Sequence, residues 1–158
     1  MAKITTTKKA PAAVKDRDSA FKHALDEFRA AELCLEAVKS DGRAIVYVPF
    51  EFRTAELCLE AVRQNGGALK YVPDEFRTME LCMEAVKSSG DTIKYVPDRL
   101  RTAELCLQAV KNHCWAFEHV PDKFRTMEVC FAAVKRDGEA LRLVPWGIKA
   151  QIKAALKG

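Results

Sequence analysis

Six cysteines and three histidines are the residues of this chain best able to ligate a metal, carry a redox couple or pair as nucleophile and base. Five of the cysteines, Cys34, Cys58, Cys82, Cys106 and Cys130, recur at intervals of 24 residues, each after Glu-Leu or Glu-Val. If each sits on its own helix in a stack, neighbours lie about 8 to 10 Å apart, beyond the reach of a disulfide or of shared ligation. A thiol at one fixed interior slot serves instead as a compact hydrophobe. Free thiols in that pattern predict a reducing compartment rather than a disulfide scaffold. Soft ligands gather at one place, Cys106, His113, Cys114 and His119, without the CxxC or HxxxH pairs of a zinc site. Neither a metal nor a cofactor is expected. A Gly-rich phosphate loop, an HExxH segment and a nucleophile with a base nearby in sequence are all missing. The glutamates recur as a ladder at helix starts, where they answer the helix dipole. These residues predict a protein that is not an enzyme.

Charge offers a second chemistry. Arg29, Arg53, Arg77, Arg101 and Arg125 form one ladder, and Lys39, Arg63, Lys87, Lys111 and Lys135 a second. The second is explained by the negative end of each helix, and the first by pairing with glutamates three residues on. A stripe that tracks a polyanion is the other reading. It would use Arg53, Arg77, Arg101 and Arg125 with Lys8 and Lys9 of an N-terminal arm, and would bind nucleic acid without reading bases. The formal charge of +4 permits this without arguing for it.

The elements that position these residues repeat with the same interval. Glu56-Leu57-Cys58-Leu59 superposes on Glu32, Glu80, Glu104 and Glu128 and the residues after them, and Pro49, Pro73, Pro97, Pro121 and Pro145 follow in step. A fixed short period marks a repeat architecture. Thr54 with Glu56 starts helix A, which is expected to run to Arg63 and to end at Asn65-Gly66 with glycine as a left-handed C-cap. Ala68-Leu69-Lys70-Tyr71-Val72 lacks strict alternation and predicts a short helix B before Pro73. A strand there would make a leucine-rich-repeat-like α/β solenoid. The expected fold is therefore an all-α solenoid of five helix-pair repeats. Its parts are a flexible basic arm (1–17), an N-terminal half-unit (18–28), repeats 29–52, 53–76, 77–100, 101–124 and 125–145, and a C-terminal capping helix (146–158). Phe21-Lys22-His23-Ala24 fills the helix B slots of the half-unit, and Ile148, Ile152 and Leu156 line one side of the capping helix.

The unit RTxELCLEAVKxxGxALxYVPDxF resembles the tandem repeats of the domain of unknown function 4116, from about Phe21 to Pro145. Arg63-Gln64-Asn65-Gly66-Gly67-Ala68-Leu69-Lys70-Tyr71-Val72-Pro73 carries the resemblance most fully. It implies a repeat fold and brings no activity with it. Copy four departs most, with Cys114 in the glycine slot and His119 in the tyrosine slot.

Departures in solvent-facing slots have no folding role to perform. Trp115 stands where Arg43, Gly67, Asp91 and Glu139 stand, and Phe50 and Trp146 replace the aspartate of Asp74, Asp98 and Asp122. Trp146 is expected to pack under the terminal helix, while Phe50 either packs at the cap boundary or stands free. Exposed aromatics on a repeat surface are hot-spot candidates. The candidate partner-binding residues are thus Trp115, Phe117, Glu118, His119 and Phe50. The expected function is a protein-interaction scaffold or adaptor for another protein, with nucleic-acid binding as the alternative and self-association through the solenoid ends open. No run of about 18 apolar residues and no apolar leader core is present, so a cytoplasmic protein without a membrane partner is expected.

Overall fold

The computed structural model describes residues 17–156. The expected basic arm, with Lys8 and Lys9, lies outside the described residues apart from Arg17. The chain divides into two compact units, Met1–Leu33 and Cys34–Gly158.

In the first unit the described backbone is helical and belongs to α1, Arg17–Ser40. The expected half-unit does not fold as a separate helix B followed by a break. The residue types explain this. Leu25 stands where the later units have proline, and Ala30 where they have the capping threonine, so neither the stop nor the new start is encoded. Phe28 and Leu33 are exposed.

The second unit is the repeat stack. Its long helices after α1 are α2 (Ala55–Gln64), α3 (Met79–Ser88), α4 (Ala103–Asn112) and α5 (Met127–Arg136), each of 10 residues. The Oγ1 of Thr54, Thr78, Thr102 and Thr126 accepts a hydrogen bond from the backbone N–H three residues on, at 3.2 to 3.4 Å. The expected N-caps are in place. Each helix buries the same four slots, Leu57, Cys58, Ala61 and Val62 in α2 and their equivalents in the others.

Helix B is a 3₁₀ helix. It spans Gly42–Tyr47, Gly66–Tyr71, Gly90–Tyr95, Cys114–His119 and Gly138–Leu143 in successive repeats. Three residues per turn place Gly66, Leu69 and Val72 on one side, and all three are buried, as are Gly90, Ile93 and Val96. Val72 is extended (ψ 127°), as the residue before a proline must be, and this ends the segment. A second, three-residue 3₁₀ turn such as Asp74–Phe76 leads to the next threonine. Among the described residues there is no strand, so the fold is an all-α repeat solenoid and the α/β alternative is not supported. Long helices pack on long helices and 3₁₀ helices on 3₁₀ helices in sequence order, and each long helix also packs on the 3₁₀ helix of the preceding repeat.

No described residue has a positive φ, so glycine is not a left-handed cap here. Asn65 is extended (φ −151°, ψ 106°); it ends α2 and also caps the following 3₁₀ helix, its side chain accepting from Gly67 N–H. The last helix, α6 (Trp146–Ala155), packs on α5 and buries Ile152 completely and Ile148 in part. Trp146 is its first residue and is 92% exposed, against the expectation that it packs beneath the helix. Phe50 is also exposed.

Candidate partner-binding site

Three devices hold neighbouring repeats together. The first is close approach at glycine. A Cβ at Gly66 would lie 2.5 Å from the Ala85 carbonyl oxygen and 2.8 Å from Ser88 Cβ, inside any real contact distance. Gly42 and Gly90 meet Ala61 and Ala109 of the next helix in the same way. The glycine slot is therefore set by the next repeat's backbone, not by its own torsion angles.

The second is a polar residue at the last helical position. Ser88 Oγ accepts from Gly66 N–H at 3.1 Å. Asn112 Nδ2 donates to the Val86 and Lys87 carbonyls at 2.9 and 2.8 Å, and Arg136 donates to the Lys111 carbonyl. Such bonds satisfy groups that a helix end leaves open.

The third is the first arginine ladder. Arg77 donates from Nε to the Val72 carbonyl and from Nη1 to the Tyr95 carbonyl, both at 3.0 Å, and its Nη1 lies 2.8 Å from Asp74. Arg53 and Arg125 repeat the two backbone bonds; in Arg101 the second stretches to 3.5 Å, to the His119 carbonyl. The ion pair recurs as Arg101–Asp98 and Arg125–Asp122, and Arg53 faces Phe50 in that slot instead. The side chains of Arg77, Arg101 and Arg125 are only 16 to 17% exposed. The expected pairing with glutamates three residues on is thus replaced by aspartates three residues back and by backbone carbonyls. Each guanidinium clamps two successive repeats with a fork that lysine could not reproduce.

The fourth junction breaks this order. Cys114 stands in the glycine slot, and the 3₁₀ helix that it begins packs less closely on α5 than its counterparts pack on theirs. A shallow recess, open at its mouth, lies there between repeats four and five. Cys114, Trp115, Phe117 and Glu118 line it from one side, and Asp137, Glu139, Ala140, Arg142 and Leu143 from the other. Trp115 is 58% exposed. Glu118 holds Arg142 at 3.2 Å across the junction. Asp137 accepts from Glu139 N–H and so caps its own 3₁₀ helix. Sequence reasoning brought Trp115, Phe117 and Glu118 to this place, and missed the five residues of repeat five opposite them. The glycine-to-cysteine change at position 114 was the available signal.

Of the other candidate residues, Phe117 is core and only floors the recess, and Phe50 and His119 do not line it. Phe117 is 1% exposed in the core slot of Leu69 and Ile93, so its outer surface is the floor of the recess and nothing more. The Arg125 guanidinium lies 5.3 Å from its ring centre. Phe50 is in repeat one, far in sequence from the fourth junction. His119 is exposed, outside the recess lining.

The cysteine ladder is core. Cys58, Cys82, Cys106 and Cys130 are fully buried and all described cysteines are free thiols. Burial pushes the thiols of Cys58, Cys82 and Cys106 up to about 11, with the nearby ladder arginine opposing it in each case. Cys130 is raised by the same cause. A protonated, enclosed thiol is a poor nucleophile and a poor ligand. Cys106, His113, Cys114 and His119 form no metal-binding group, and none of three or more His, Cys, Asp or Glu occurs among the described residues. No helix among them is long and apolar enough to cross a membrane.

Comparison with known proteins follows the same units. The family described as "Domain of unknown function (DUF4116)" matches residues 31–77, 54–101 and 103–149, each match spanning about two of the 24-residue units. No curated protein and no solved structure matches this chain. The family matches cover most of the sequence, and the chain belongs to the DUF4116 repeat family.

Proposed function

We propose that this protein is a non-catalytic interaction scaffold that presents its repeat surface to another protein, with the fourth junction as the point of specificity. One observation carries the reading. At the junction where the glycine is lost, a large aromatic that the stack does not use for packing stands exposed at the rim of a recess. Such a residue, beside a recess in the surface, is the kind of anchor that dominates interface energetics. Polyanion binding has less to draw on, because Arg53, Arg77, Arg101 and Arg125 are committed to backbone carbonyls.

The test is retention from a native lysate, with and without nuclease, by the wild type and by Trp115→Ala. A discrete protein retained after nuclease, and lost by about tenfold or more with Trp115→Ala, is the expected result. Circular dichroism of the variant should be unchanged, since Trp115 is outside the core. Nucleic acid recovered only without nuclease would replace the scaffold reading. Equal retention by both proteins would remove Trp115 from the site.

A further inference from the structure

The same edge of the stack shows what kind of group an aromatic and a carboxylate hold there. In repeat three, Lys94 Nζ lies 3.2 Å from Asp91 Oδ2 and 5.1 Å from the Tyr95 ring centre. In repeat two, Lys70 Nζ lies 4.5 Å from the Tyr71 ring centre. Repeats two and three each supply their own cation to their own ring. Repeat four does not. Glu118 replaces that lysine, His119 replaces the tyrosine, and the aromatic has moved to the slot of Asp91 as Trp115.

The recess around Trp115 therefore has the ring and the carboxylates without a cation from its own repeat. Its lining holds Glu118, Asp137 and Glu139 against a single guanidinium, Arg142, which Glu118 already pairs. Asp137 is engaged as a backbone cap, and Glu139 forms no ion pair among the described residues. The patch is negative on a chain whose formal charge is +4.

Building on the scaffold reading, we infer that the fourth junction receives a lysine or arginine side chain from the partner protein. Its cation meets Trp115 and the Glu139 carboxylate at the open rim of the recess. A cation on a tryptophan face is held by the ring quadrupole, and the Glu139 carboxylate adds selectivity against neutral and acidic side chains.

The experiment uses Trp146→Phe protein, in which Trp115 is the remaining tryptophan of the two. Its emission is followed on titration with an acetylated, amidated Gly-Arg-Gly-Arg-Gly peptide and with the same peptide carrying citrulline for arginine. The arginine peptide is expected to saturate the signal and to bind about tenfold tighter than the citrulline peptide. Glu139→Gln should weaken it by about threefold to tenfold, and added salt should do the same. Equal binding of both peptides, no binding of either, or indifference to Glu139→Gln overturns the inference. The scaffold reading is judged separately. A lysate partner lost with Trp115→Ala but kept with Glu139→Gln leaves the scaffold standing without this ligand, and a partner kept by both variants removes the site altogether.

Discussion

The junction between repeats two and three and the junction between repeats four and five are built on the same plan and differ most at the glycine slot. At the first, Gly66 lets the Ala85 turn of α3 come into hard contact, and Ser88 Oγ closes the gap with a hydrogen bond to Gly66 N–H. At the second, Cys114 brings a side chain to that place, and the 3₁₀ helix packs loosely enough to leave a recess. The spacing of this stack is therefore set by the smallest residue in the unit. A repeat can loosen a junction by changing that residue, while the core slots Phe117 and Val120 stay filled.

The comparison breaks most sharply at Gly66→Ala. Its added methyl meets a backbone carbonyl that cannot turn away, and the expected cost is about 3 kcal/mol, at the upper end for overpacking, read as a lower urea midpoint. The arginine clamps come next. Arg77→Ala removes two bonds to carbonyls and one ion pair, for an expected loss of about 2 kcal/mol. Arg101→Ala should cost less, since its second bond is stretched. Equal losses at the two positions would mean that the bond across the junction carries none of the energy.

Alkali should weaken the stack through its thiols. Cys58, Cys82 and Cys106 have folded values raised from 9.0 to about 11, so the folded state holds their protons more tightly than the unfolded chain does. That contribution is complete below about pH 9 and is lost as pH rises toward 11. Cys82→Ala should flatten the fall in a pH series of urea midpoints. The smaller tests sharpen the comparison at the irregular end. Cys114→Gly should draw the fourth junction closed and raise stability by about 1 kcal/mol while abolishing the arginine-peptide signal. Gly138→Ala should change stability by no more than about 0.5 kcal/mol, because no described atom lies within 4 Å of its new methyl.

Much of this was legible before any coordinates. Thr54 and its equivalents announced each helix start, the prolines each stop, and the 24-residue period the stack. The handedness of the argument failed at glycine, because local sequence cannot show that the Ala85 carbonyl arrives at Gly66 from 19 residues on. The 3₁₀ geometry was written in the spacing of Gly66, Leu69 and Val72, three apart, which a search for α periodicity passes over. Arg77 misled for another reason. Two of its acceptors are backbone carbonyls, which have no letter in a sequence, and its charged partner is Asp74 three residues back rather than Glu80 three residues on. Phe117 was grouped with Trp115 because both are unusual residues in copy four, yet Phe117 departs from the unit in size alone and keeps its core slot.

The enclosed thiols give the stack an internal clock. One sits at the same depth in each of repeats two to five, at 0% exposure, so an alkylating reagent reaches it only when that repeat opens. The rate at which each cysteine is tagged then reports the opening free energy of its own repeat, and peptide mass spectrometry separates Cys58, Cys82, Cys106 and Cys130 in a single time course. Cys114, half-buried in the recess, should react first and mark zero on that scale.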